Sequence, residues 1–125
     1  MTMDAAEVSL FTRVAIPTGA DDVRWGYREG FQDDFAVLAF RLSQAGLEEF
    51  RRPLPVTEWA ERTYIESVDL DGFQHIGAPD PSNASPLTCG GFLSPGQAKN
   101  VATRICVASR PDGTGQVWVS AFHTP

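Results

Sequence analysis

The sequence predicts an α+β domain: an antiparallel sheet of four to five strands with one or two helices packed on one face. Three observations carry this. Apolar residues alternate along "VRWGYRE" and "FAVLAFRL", and again along "VATRICVAS" and "QVWVSAFHT", which is the period of strands. Each pair is joined by a link containing Gly and Asp, the mark of a hairpin. Between the hairpins, "SQAGLEEFRRPLP" has the spacing of a short helix. At 125 residues the chain fits a single domain, 1–125. Such a domain buries roughly two-thirds of its unfolded surface, so its core suffices without a staple.

Taken in order, "SLFTRVAIP" (Ser9 to Pro17) reads as a first strand, and "TGADD" as the loop after it. In "VRWGYRE", Val23, Trp25 and Tyr27 share one face and Arg24 and Arg28 the other. Gly26 inside it signals a bulge or a close neighbouring backbone. "GFQDD" is the turn. In "FAVLAFRL", Leu38, Phe40 and Leu42 share one face and Phe35, Val37 and Ala39 the other, so this strand is expected to be covered on both sides.

Ser43 is the expected N-cap of the helix, Leu47 and Phe50 its buried pair and Pro53 its stop. "TEWAERTYI", with Thr57 as N-cap, reads as a second helix, and "TYIESVDL" reads nearly as well as extended chain. From Asp69 to Gly96 the composition turns to Gly, Pro, Ser, Asn and Asp. That predicts a long loop at 69–96, and loops of that length are usually functional or mobile. Beyond it, "RPDGTG" joins the last two strands around a "PDG" turn.

Bulk properties exclude some classes. The charge is 21% of residues with a net of -6, and Arg51-Arg52 is the only adjacent basic pair. A phosphate-binding surface needs clustered Lys and Arg, so nucleic acid is not an expected partner. No apolar run reaches the ~18 residues of a transmembrane helix. "MTMDAAEVSLF" has neither a basic n-region nor an apolar h-region. As it stands the sequence reads as cytoplasmic, or as extracytoplasmic if a signal segment was removed.

Few residues have catalytic spacing. His75, His123, Cys89 and Cys106 are too far apart for the paired ligands of a structural zinc site. "DLDG" (Asp69 to Gly72) opens like a calcium loop but lacks the later oxygen ligands and the closing Glu. No metal or cofactor is expected. "TCGG" places Cys89 beside two glycines, yet a thiolate needs a base, and only His75 or His123 offers one. There is no Gly-x-Ser-x-Gly elbow and no phosphate loop. Asp21-Asp22 and Asp33-Asp34 lie at opposite ends of one strand, and adjacent strand residues point to opposite faces. They read as solvated turn carboxylates.

Cys89 and Cys106 are 17 positions apart. A bridge between them would stabilise by ~3 kcal/mol on the chain-entropy model. Two reduced, half-buried thiols fit the sequence equally well. Of the aromatic residues, Trp25, Tyr27 and Phe92, together with His75, are the candidate binding residues, since exposed aromatics mark contact surfaces.

The stretch "IPTGADDVRWGYREGFQDDFAVLAFRLSQAGLEEFRRPL", with the closing "QVWVSAFHT", resembles small actinobacterial proteins of unassigned activity, many of them predicted lipoproteins or membrane-tethered. The shared pattern is an "x-P-x-x-A-x-D-V" entry, an aromatic strand, a Gly-x-x-Asp turn and a "Leu-x-x-Phe" helix, over about half the chain. The resemblance implies an envelope location and, with it, a Cys89-Cys106 bridge. The chain departs from the tethered pattern in having no signal segment and no lipid-attachment Cys near its start.

The expected function is a non-catalytic binding or protein-interaction domain, its partner a protein or small molecule. A deep pocket holding His75 or His123 beside Cys89 or a carboxylate would count against it. The alternative is a small enzyme or small-molecule-binding accessory protein with its site between sheet and helix, where His75 and the Asp69-Asp71 pair would act. A third is a homo-oligomer or complex subunit that pairs through a sheet edge at Val117–Phe122.

Overall fold

A computed structural model of the chain describes residues 3–29, 34–84, 86–96 and 98–124. Among them the fold is α+β with an antiparallel sheet, as expected, but with six strands and three helices. The "GFQDD" turn up to Asp33 lies outside the described residues.

The chain begins with a helix, α1 (Ala5–Thr12), where a strand was expected. Asp4 accepts from the Glu7 amide at 2.8 Å, and Glu7 accepts from the Asp4 amide at 3.1 Å. That reciprocal cap satisfies two end donors. Val8 and Thr12, one turn apart, are buried. "DAAE" was the overlooked signal. Arg13, at φ 64°, ends the helix in the left-handed region.

Strands β1 (Asp21–Arg28) and β2 (Phe35–Ser43) pair antiparallel. Asp21 at the start of β1 ion-pairs with Arg41 on β2, at 3.0 and 3.1 Å, rather than standing free in a turn. The hydrogen bond from Arg41 holds its carboxyl below the usual value. β2 is buried on both faces: Leu38, Phe40 and Leu42 in one cluster, Phe35, Val37 and Ala39 in the other. Next, α2 (Gln44–Arg51) starts where expected. Ser43 Oγ accepts from the Gly46 amide at 3.0 Å, and Leu47 and Phe50 are its buried residues.

Residues 57–64 are not a helix. Ala60–Arg62 form a short strand, β3, against Leu87–Cys89. Trp59 packs toward the core under the Arg51 guanidinium, 4.4 Å from its ring centroid. The helix comes later, as α3 (Ser67–His75), and strand β4 (Leu87–Ser94) follows a single 3-10 turn at Pro81–Asn83. The expected 69–96 loop is therefore mostly ordered secondary structure. Gly72, Gly90 and Gly91 disguise it in the sequence, because glycine disfavours both helix and strand.

β5 (Val101–Ser109) and β6 (Thr114–His123) form the expected hairpin. Gly113 takes φ 84° in its turn, and Asp112 accepts from the Thr114 amide at 3.0 Å. The sheet order is β1-β2-β6-β5-β4-β3. β3 to β6 meander inward from one edge until β6 meets β2. Since β6 pairs with both β2 and β5, Val117–Phe122 is central and offers no edge. The edges are β1 and the three-residue β3.

The helices occupy both faces, not one. α1 and α2 cover Leu38, Phe40, Val107, Val117 and Val119. On the other face α3, through Phe73, and the chain after it, through Ile76, Ala78 and Ala84, cover Phe35, Val37, Cys106 and Trp118. One nine-residue helix cannot shield six strands, so the α3 face is left with clefts on either side of it.

Candidate functional site: clefts beside helix α3

The first cleft, of about 410 Å³, lies between α3 and the β3–β4–β5 side of the sheet. Its floor is the Cys89-Cys106 disulfide and Gly91. Cys89 and Cys106 are directly opposite in the β4–β5 register, 4.1 Å apart at Cα. The glycine is required: a Cβ at Gly91 would come within 2.7 Å of the Thr103 carbonyl oxygen.

One wall is an ion pair. Arg104 donates from Nε and Nη2 to the two carboxylate oxygens of Asp69, both at 2.8 Å. Asp69 is buried at 4% exposure, in the first turn of α3. A buried carboxylate requires such a partner. The guanidinium also lies 4.9 Å from the Phe122 ring centroid. The rim carries Tyr64, 59% exposed, with Arg62 5.9 Å from its ring centroid and 3.8 Å from Glu66. Glu58, Glu66 and Asp69 set three carboxylates against two guanidiniums, Arg62 and Arg104.

The second cleft, of about 360 Å³, lies on the β1–β2 side of α3. Gly26, Phe35 and Val37 meet Asp71, Gly72 and His75 there. The close neighbour of Gly26 is a side chain and not the backbone its place in the strand suggested: a Cβ would fall 2.8 Å from Ile76 Cγ2. His75 and Asp71 are both exposed, and among the described residues no hydrogen bond or ion pair holds either. Histidine and a carboxylate thus share a cleft, but an open one.

The four candidate binding residues are not all brought together, although Tyr27 and His75 both line the second cleft. Trp25, 41% exposed, and Tyr27 lie on the α1 side of β1, where the Trp25 indole N–H donates to the Met3 carbonyl at 3.2 Å. Phe92 is half-buried and packs on the core of that same face, on β4. His75 is on the other face. Asp69 and Asp71 part company on α3, one buried against Arg104, the other facing His75.

Cys89 is bonded, so it is no thiolate nucleophile in this state. His123 is on the opposite face, its ring 5.0 Å from Phe11 and its Nδ1 3.6 Å from Asp34 Oδ2. Asp34 also acts on the Tyr27 phenol. Burial first, and then Asp34, push the Tyr27 hydroxyl up to about 12. Asp34 is thus tied into the structure and not simply solvated. Asp33 lies outside the described residues.

Among the described residues, no group of three His, Cys, Asp or Glu is placed to hold a metal ion, and no helix is long and apolar enough to cross a membrane. Sequence reasoning missed Arg104 and Tyr64. An Arg inside the apolar run "VATRICVAS" was the available signal, because a half-buried Arg in a strand needs a partner. Comparison of the chain with protein-family models, curated proteins and solved structures gives no match.

Proposed function

We propose that this chain is a non-catalytic binding or protein-interaction domain, and that its recognition surface is the α3 face around the Cys89-Cys106 cleft. The observation that carries this is that three of the five exposed large apolar side chains among the described residues, Tyr64, Val68 and Leu93, lie on this face, with Leu10 and Trp25 on the α1 side. Tyr64 rims that cleft, Val68 lines the groove on the other side of Arg104, and Leu93, 61% exposed, follows Cys89 and Gly91 on the same face of β4. Exposed apolar residues gathered around a locked polar group are the composition of a contact site. The cleft volume suits a few side chains or a small ring system. Its excess of carboxylates over guanidiniums favours a neutral or basic group, with the exposed Tyr64 ring offering apolar contact beside Arg62. A disulfide suits an oxidising compartment, so an envelope location, as the sequence resemblance implies, belongs to the same proposal.

The test is an amide-resolved NMR titration of the oxidised protein with a fragment set of aromatic amines and aromatic carboxylates. Binders should move Ala60, Tyr64, Gly91 and Arg104, and the amines should outnumber the carboxylates. Absence of any binder at these amides would refute the assignment.

A second reading, a small-molecule or catalytic site between sheet and helix, is favoured by one observation: His75 and Asp71 line the same cleft. An imidazole beside a carboxylate is the basic kit of acid–base chemistry. In the same titration, binders that move Gly72 and His75 instead would favour it.

A further inference from the structure

We propose that the Cys89-Cys106 disulfide is a thiol-exchange site, at which an external thiol attacks Cys89 Sγ and Cys106 leaves as the thiolate. The inference does not depend on what the neighbouring cleft binds. It rests on a row of four residues across the sheet. Ala60 on β3 is opposite Cys89 on β4, Cys89 is opposite Cys106 on β5, and Cys106 is opposite Trp118 on β6.

The S–S bond crosses obliquely between the two middle members of this row, with Cys89 at its β3 end and Cys106 at its β6 end. Thiol–disulfide exchange proceeds by attack of a thiolate on one sulfur, in line with the bond that breaks. Attack on Cys89 comes from the Ala60 side. There the residue is small, exposed and at the sheet edge, and it lines the same open cleft as both sulfurs. Gly91, next to Cys89 on that face, adds no side chain to screen it. Attack on Cys106 would come from the Trp118 side. Trp118 is 2% exposed and held by its indole N–H to the Pro79 carbonyl at 2.8 Å. Cys106 is itself 8% exposed, whereas Cys89 is half-buried. One sulfur is approachable and the other is backed by a fixed indole.

The electrons balance with a thiol as co-reactant. The thiolate forms a bond to Cys89 Sγ, the Sγ–Sγ bond breaks, and its electron pair leaves on Cys106 Sγ, which takes a proton from water. A second thiolate attacks the outer sulfur of the mixed disulfide, releases Cys89 as thiolate and departs as the external disulfide. Two thiols are oxidised and one protein disulfide is reduced. Arg104 is two residues from Cys106 on the same face, but Asp69 already neutralises it, so access and not a depressed thiol pKa selects the sulfur.

The test uses the folded, oxidised protein with reduced glutathione, quenched with N-ethylmaleimide and mapped by peptide mass spectrometry. The expected adduct is glutathione on Cys89 with maleimide on Cys106, at a rate proportional to glutathione concentration. Ala60→Phe, which fills the approach, should slow this severalfold. Glutathione on Cys106, a rate that is independent of thiol and equal to the unfolding rate, or an unchanged rate in a folded A60F protein would each overturn the proposal.

Discussion

Arg104 on β5 and Asp69 on α3 face each other as a two-pronged ion pair, with both N···O distances 2.8 Å. The two partners are unequally placed: the Arg104 side chain is 37% exposed and that of Asp69 only 6%. This contact ties the first turn of α3 to the sheet, where the helix has no side-chain N-cap.

Removing the arginine should cost more than neutralising the acid. Arg104→Met leaves a carboxylate buried without its partner and should destabilise by about 2–3 kcal/mol, at or below the low end for buried pairs because the arginine is partly solvated. Asp69→Asn keeps an acceptor and leaves an arginine that water can reach, and should cost about 1 kcal/mol. Urea unfolding of both variants checks the order. Amide exchange in the first turn of α3 should quicken in R104M.

Gly72 gives a test with a sign. In an exposed helix, Gly→Ala stabilises by about 1 kcal/mol. Here a Cβ would fall 2.7 Å from Val37 Cγ1 and 2.9 Å from Phe35 Cε1. Gly72→Ala should therefore destabilise, by about 1–3 kcal/mol as overpacking does. A raised unfolding midpoint would mean that α3 does not approach β2 this closely.

Tyr27 sets an alkaline limit. Its folded pKa is raised to about 12 from the ordinary tyrosine value of 10.0, by burial first and then by Asp34. The folded state holds the proton more tightly than the unfolded chain. The contribution is therefore complete below pH 10 and is lost as pH rises toward 12. Stability followed by urea unfolding should fall across that window, and should fall less steeply in Tyr27→Phe. An identical slope in Y27F would place the phenol elsewhere.

The disulfide spans 17 positions. Replacing both cysteines by Ala should lower stability by about 3 kcal/mol on the loop-entropy model. The fold should survive, since backbone pairing runs the length of the β4–β5 and β5–β6 ladders and the bond adds one cross-link to it. An unchanged urea midpoint would show that the bond constrains little.

The fold was legible where a pattern was local. The β1–β2 and β5–β6 strands announced themselves by alternation, and α2 by Ser43, Leu47, Phe50 and Pro53. What escaped was set by distant contacts. α3 buries only Asp69 and Phe73 and has a glycine in its body, so nothing in its own sequence reads as helical; Arg104 and the packing of Gly72 on β2 hold it. β4 contains Gly90 and Gly91, where neighbours leave no room for side chains. The site was less legible still. The sequence pointed to Trp25, Tyr27, His75 and Phe92; the first two and Phe92 turn their rings to the face opposite His75, and only Tyr27 shares a cleft with it. Exposed aromatics can be suspected from composition, but which face they share depends on a sheet order with β6 at its centre. α1 is a different case, because its Asp4–Glu7 capping box is local and legible in the sequence.

The central claim is that recognition belongs to the α3 face beside the disulfide and not to the aromatic strand β1. The most direct measurement compares Tyr64→Ala and Trp25→Ala in their affinity for the aromatic amine that most strongly shifts the cleft amides. Y64A should weaken binding severalfold, and W25A should bind as the parent does. Loss of binding in W25A with Y64A unaffected would move the site to the other face and contradict the account.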